Sequence, residues 1–408
     1  MLSIVIIFCI LIDIVFRFDI TPAYFSYWDE LSVFILIIIW LYNLCRNKGK
    51  FTFEKAHIKI LGCLSGIVIV GLMGNLRWNW ALNNKAILID IVACVKFFIT
   101  IIIIQNLYSE KDYKKQLKKY CIPVLKVMTI VMFICGIISI FTDIGMSQDE
   151  IRYGIRPYYF LFTHPTSYVM RNIMILSLLN ITESNSFKYD MIIVINIILA
   201  MRSKGIIIVG VYIYLKYIGE YIQKYKMLYL SGVGIISAYV IIKKLIEYSQ
   251  YSRTTRGTLY EGAILLMKKC FPIGSGLGTY ASSASGKYLS KVYNFIYVDR
   301  VFTNGKVGSG LGDAGYAYYI GQFGIIGVFL FGVLLVYMYK MCIKKNGKLN
   351  LAILIIFVYI IIALTAENLL LNNGFELGLI FAVETIILKQ NDRKELHNIQ
   401  GTLAGDEL

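Results

Sequence analysis

The placement of arginine is the feature of this chain that most needs a chemical explanation. Arg253, Arg256 and Tyr260 are spaced three and four residues apart, so a helix through them carries all three on one face. Cations at a helix start oppose the helix dipole, which favours anions there. Helix stability therefore does not account for the two arginines. An anionic ligand does, because helix N-termini and planar guanidinium forks both bind phosphate. Upstream, Arg152-Tyr-Gly154-Ile-Arg156-Pro157 precedes Phe162-Thr-His164-Pro165-Thr166-Ser167, and Arg171 follows His164 by seven residues. On a helix that spacing puts His164 and Arg171 on one face. Arg202 and Lys204 stand together between two apolar runs, and Asp313 and Glu367 flank two others. Such a set could clamp a phosphate with arginines and move a proton with His164 or Asp313. The plain alternatives are arginines in solvent or on lipid headgroups, and a His164–Arg171 pair that merely bridges helices.

The elements that position these residues are dictated by hydrophobicity. Of 408 residues, 58% are hydrophobic and only 16% charged, and the mean hydropathy is positive. Soluble domains carry about a quarter charged residues. The apolar residues gather in long runs such as 86–107, 320–339 and 349–362, long enough to cross a hydrocarbon core. A soluble protein is excluded. The sequence predicts an all-α polytopic membrane protein, a single integral membrane domain over 1–408. Twelve spans are expected at 2–16, 31–45, 58–74, 86–107, 121–142, 158–181, 190–201, 205–219, 227–246, 314–340, 349–371 and 375–388. The seventh and eighth are short enough to form one broken or re-entrant element instead.

A formal charge of +16 could suggest nucleic acid, but the basic residues sit in short clusters between apolar runs. With twelve spans and a cytoplasmic N-terminus, the clusters after spans two, four, eight, ten and twelve share one side, as the positive-inside rule requires. The expected location is thus a cytoplasmic membrane with both termini inside, without a nucleic-acid partner. The first run lacks a cleavage signal and reads as an uncleaved span. The terminal Gly-Asp-Glu-Leu resembles a retrieval signal only by coincidence. The eight cysteines form no Cys-x-x-Cys pair, so neither a disulfide framework nor a metal site is expected. Asp13, Asp90, Lys96 and Lys126 fall in spans without a shared spacing that assigns them a role.

Residues 247–313 form the one long hydrophilic stretch, expected outside between spans nine and ten. Its tyrosines, among them Tyr260, Tyr280 and Tyr293, argue for order, since disordered segments are poor in aromatics. They could form an interfacial belt or stack on an extracellular ligand such as a sugar. Within the stretch a short helix is expected, with Leu259, Ala263, Leu266 and Cys270 as its apolar face, closed by Pro272 and Gly274. The following Gly274-Ser-Gly276-Leu-Gly278 lacks the features of an ATP or dinucleotide loop. It reads as tight turns that bring backbone close to a ligand or a membrane surface.

In their order, these pieces resemble the O-antigen and capsular polysaccharide polymerases (Wzy-like) of the O-antigen ligase/polymerase superfamily. Phe162-Thr-His164-Pro165-Thr166-Ser167 is similar to that family's Gly-Phe-x-His-Pro-Asn, and Met201-Arg202-Ser-Lys204-Gly205 to its Ser-Arg-Thr/Lys-Gly turn. Arg253–Tyr260 with the Gly276 segment resembles its outer loop. Asp313-Ala-Gly315-Tyr316 before Gly324-Ile-Ile-Gly327 resembles its Asp-x-x-Tyr and Gly-Ile-Ile-Gly. The likeness covers residues 150–330. Thr166 replaces an asparagine, the arginine-ten-residues-glycine motif of some polymerases is absent from Arg253 and Arg256, and the loop holds no histidine. The last departure favours a polymerase over a ligase. The resemblance implies glycosyl transfer between undecaprenyl-diphosphate-linked oligosaccharides at the outer membrane face, without a cofactor or metal. Arg152, Arg156, Arg171, Arg202, Arg253, Arg256, Tyr260, Gly276 and Tyr316 would bind substrate. Asp313 and His164 would be the catalytic candidates. Membrane lipids, a flippase and a chain-length regulator are the implied partners. The competing readings are a lipid-linked glycan ligase and a flippase or secondary transporter, although a transporter predicts internal repeats that the sequence does not show.

Overall fold

The computed structural model describes residues 28–46, 54–108, 113–152, 154–162, 164–183, 186–218, 255–296, 311–344 and 349–405, with isolated positions near 7–14 and 235–246. Among these residues there are helices and isolated bridges but no strand. The first half holds α1 (Trp28–Arg46), α2 (Lys55–Trp78), α3 (Asn84–Tyr108) and α4 (Tyr113–Phe141, with a π turn at Leu117–Cys121). Next come α5 (Pro165–Thr182), α6 (Phe187–Leu199) and α7 (Ser203–Ile213). Then follow α8 (Thr255–Lys269), α9 (Ser283–Lys287), α10 (Val292–Phe295) and α11 (Gly315–Met341). The chain closes with α12 (Leu351–Ala363), α13 (Leu369–Asn372) and α14 (Gly374–Gly405).

The chain is an all-helical membrane protein: α1, α2, α3, α4 and α11 are long and apolar enough to cross a bilayer. That is five of the twelve expected spans among the described residues. Spans 2–16 and 227–246 lie almost wholly outside those residues. Elsewhere the apolar runs become shorter helices. α6 has 13 residues, only about 20 Å of rise. The run 349–371 is interrupted after Ala363, where Leu364 O accepts from Tyr316 N at 3.1 Å and Asn368 N donates to Gly312 O at 2.8 Å. Backbone groups spent on tertiary partners cannot continue a helix.

Burial separates centre from rim. α5 and α12 are covered around nearly their whole circumference, as expected of helices inside a bundle. Outer faces of α1, α2, α4 and α11 expose large apolar side chains such as Phe34, Leu76, Val127 and Phe329. Surface of that kind is stable against lipid and not against water. α14 packs along α3, α11 against both α2 and α8, and α12 against α5.

The glycine-rich segment after α8 enters the bundle, and it touches helices instead of a ligand or a membrane surface. α11 is broken at Gly324, whose φ of 59° and ψ of −156° are not helical. The break leaves Gly321 O and Gln322 O free to accept from Ser275 N at 3.0 Å and Gly276 N at 2.9 Å. Side chains from three helices complete the grip. Asn75 Nδ2 donates to Leu277 O at 2.9 Å while its Oδ1 accepts from Leu277 N at 2.8 Å. Asp90 accepts from Gly278 N at 2.9 Å and from the Tyr318 hydroxyl at 3.2 Å. Gln322 Nε2 donates to Tyr280 O at 2.5 Å. Irregular backbone at membrane depth requires this satisfaction by protein. Asp90 thereby gains a structural role that its position in the sequence does not reveal.

Candidate functional site

Several helix ends converge on one polar cavity of about 430 Å³. His164, Thr166 and Ser167 come from the start of α5, and Arg202, Ser203 and Lys204 from the start of α7. Arg256 lies in α8 and Asp313 just ahead of α11, while Asn372 ends α13 and Asn373 stands just ahead of α14. Thr365 and Glu367 follow α12, and Arg152 enters from the turn before α5. The ends of α5, α7, α11 and α14 at the cavity are N-terminal, and helix N-termini carry partial positive charge. Four full cations, Arg152, Arg202, Lys204 and Arg256, add to them against two carboxylates, Asp313 and Glu367.

The charges are partly spoken for. Lys204 pairs with Glu367, and Arg152 Nη2 donates to Glu150 at 2.7 Å. Arg202 Nη2 donates to Gln148 Oε1 at 2.7 Å. Arg256 Nη2 approaches Asp313 Oδ2 to only 3.9 Å, with both side chains close to half exposed to the cavity. That is too long for a firm hydrogen bond.

His164 caps α5. Its two ring nitrogens face two donors, Thr166 N at 3.2 Å from Nδ1 and Arg202 Nη2 at 3.1 Å from Nε2. A neutral imidazole has one lone pair for two donors and an imidazolium has none, so the surroundings disfavour the charged ring. Desolvation by the cavity walls, followed by the positive charges of Arg202, Lys204, Arg256 and Arg152, holds His164 down at about 4. Asp313 is pushed up from the usual carboxylate range, first by burial; Arg256 and Lys204 pull it back and Glu367 adds to the rise. The site thus offers a neutral imidazole and a carboxylate made more basic, inside a ring of fixed positive charge.

The expected residues divide cleanly. Arg152, His164, Arg202, Arg256 and Asp313 are brought together. Arg253 lies outside the described residues. Arg156 is exposed and paired with Asp143. His164 sits in the turn ahead of α5, so it does not share a helical face with Arg171. Arg171 is buried, with its guanidinium 4.5 Å from the Phe162 ring and Nη1 donating to Ser167 O at 3.2 Å. Tyr260 is buried under the cavity, its hydroxyl donating to Thr365 O at 2.9 Å. Tyr316 donates to Ile361 O at 2.9 Å. Both tyrosines pin the α12 end. Gly276 lies against α2, where a Cβ would stand 2.5 Å from Asn75 N. Tyr280 and Tyr293 are packed inside, the first donating to Leu259 O at 2.5 Å, so neither belongs to a belt or a stacking platform; Tyr288 is half-exposed. The apolar face of α8 is as expected, with Leu259, Ala263, Leu266 and Cys270 all buried.

Lys204, Asn372 and Asn373 are lining residues that the sequence did not single out as binding groups. The signal for Lys204 was a cation beside an apolar run, and for the asparagines a polar pair interrupting one. No protein-family model matches the chain, and no curated protein matches its sequence.

Proposed function

We propose that the chain is a membrane glycosyltransferase that polymerises lipid-linked oligosaccharide repeat units, with undecaprenyl diphosphate as the leaving group. The convergence of four cations and four helix N-termini on one polar cavity at the end of the bundle carries this reading. Such an arrangement stabilises negative charge that develops on a leaving diphosphate, and it needs no reorganisation as the bond breaks. The acceptor hydroxyl oxygen attacks the anomeric carbon of the donor glycan, and the bond from that carbon to the diphosphate oxygen breaks. Arg202 and Arg256 take the diphosphate charge, with Arg152 beside them. The hydroxyl proton passes to Asp313, whose raised basicity suits it to the task. His164, neutral and pressed against Arg202, serves at the diphosphate end.

The orientation follows from the basic clusters. Twelve spans with both termini in the cytoplasm would put the arginine cavity at the outer face, where lipid-linked units are presented by a flippase, with the 247–313 connection turning from that face into the bundle at 275–280. A chain-length regulator would act at the same face. Among alternatives, a ligase of the same superfamily would use the same diphosphate clamp.

The test is deletion of the gene in its host, with sizing of the surface polysaccharide and its lipid-linked precursors. Polymerisation predicts loss of long polymer, accumulation of single units on lipid, and rescue by the wild type but not by Arg256→Ala. Full-length polymer retained on its lipid carrier would make the protein a ligase. Precursor trapped at the cytoplasmic face would make it a flippase and refute the proposal.

A further inference from the structure

A second pocket, of about 530 Å³, lies at the opposite end of the bundle. α11 runs from Asp313 and the arginine cavity at one end to Tyr337, Lys340 and Met341 at the other. The helix has 27 residues, broken at Gly324, and the two pockets lie at its opposite ends. α14 connects them in the same way, from Asn373 to Leu388 and Lys389.

The lining of this pocket is amphipathic. Lys55, Lys59, Lys340 and Lys389 supply four cations, against Glu54 and Asp392. Glu54 is spent on Lys389, which it meets with both oxygens at 2.6 and 2.7 Å. Lys55 and Lys59 stand in the first two turns of α2, where cations oppose the helix dipole, so the helix gains nothing from them. Lys59 and Lys340 both lie over the Tyr337 ring, with Nζ 5.9 and 5.4 Å from its centroid. The Tyr337 ring attracts both ammonium groups and so holds two cations at this pocket. Beneath the charges the walls are apolar, formed by Met341, Ile343 and the buried Leu388. The lysines sit where spanning helices leave the hydrocarbon, the level of lipid headgroups.

We propose that this pocket holds the phosphate headgroup of an anionic phospholipid, with an acyl chain against the Met341–Leu388 wall. Free phosphate shares the headgroup chemistry but has no use for the apolar wall, and basic pockets between spanning helices select anionic lipids. The site is independent of the reaction at the other end of the bundle.

The full-length protein is purified in detergent, and binding of phosphatidylglycerol, phosphatidylcholine and inorganic phosphate is measured by native mass spectrometry and by lipid-dependent thermal stabilisation. Phosphatidylglycerol is expected to bind well above phosphatidylcholine. Lys59→Gln and Lys340→Gln should each weaken it about fivefold, the worth of one lysine at an anionic headgroup. The double variant Lys59→Arg, Lys340→Arg should retain it, which separates loss of charge from loss of fold. Equal binding of the two lipids would overturn the proposal, as would phosphatidylglycerol binding unchanged by the glutamine variants. Inorganic phosphate that binds alone and displaces the lipid would replace it with a free-anion site.

Discussion

Gly324 and Gly332 are eight residues apart in α11, and the structure predicts opposite outcomes when each becomes alanine. Gly324 has φ 59° and ψ −156°, a region open essentially to glycine alone and costing other residues about 1–3 kcal/mol. Its missing Cβ would stand 2.4 Å from Pro272 O and 2.6 Å from Gly274 N. Both are backbone atoms and cannot rotate away, so overpacking adds about 1–3 kcal/mol. Relief comes only if the 272–278 segment moves, which puts the bonds from Ser275 N and Gly276 N to α11 carbonyls at risk. Gly324→Ala should therefore lose about 2–6 kcal/mol. At Gly332 nothing lies within 4 Å of a built Cβ and the backbone is helical, so alanine there should gain about 0.5–1 kcal/mol. The assay is thermal unfolding of both variants in detergent, run beside reactivity of Cys270 in a background where it is the only cysteine. Cys270 is buried and precedes the inserted segment, so Gly324→Ala should expose it to a maleimide and Gly332→Ala should not. Equal midpoints for the two variants, with Cys270 protected in both, would refute the insertion of this segment into the bundle.

Asp313→Asn should cut chain growth by at least about 100-fold, the usual worth of a general base, while the protein reaches the membrane at wild-type amounts; normal polymer length would remove Asp313 from the role. Its thermal midpoint at neutral pH should stay level or rise, because burial already disfavours the charged carboxylate, and a clear fall would mark a structural residue. His164 is held at about 4 in the folded chain against about 6.5 unfolded. Between those values the unfolded chain binds more protons, so stability drops as pH is lowered from about 6.5 towards 4. His164→Gln should flatten that part of the midpoint–pH curve, and parallel curves would show that its ring titrates freely.

The reading of the chain as a bundle of apolar helices came from composition and run length alone, because hydrocarbon admits few other structures. The long helices α2, α3 and α11 appear close to their expected bounds, since 20 consecutive apolar residues leave little choice of conformation. The apolar stripe of α8 was legible for the same kind of reason, its period being the helix period. Five of the candidate residues meet in one cavity; they stand out by type, because charge is expensive in an apolar chain.

Other features depended on partners distant in sequence. Gly276 and its neighbours read as a loop at the surface, yet they are buried by Asn75, Asp90 and Gln322, and no local pattern announces hydrogen bonds across 44 to 202 positions. Tyr260 and Tyr316 look like ligand-facing aromatics until their hydroxyls are seen donating to the end of α12. Arg156 and Arg171 have the same side chain as Arg202, and only packing separates them: Asp143 neutralises one, Phe162 covers another, and the third is left at the cavity. The sequence by itself determined a membrane-embedded helical chain with a surplus of cations. Which cations share a cavity was decided by the tertiary structure, because the number of residues between two side chains does not fix the distance between the helix ends that carry them.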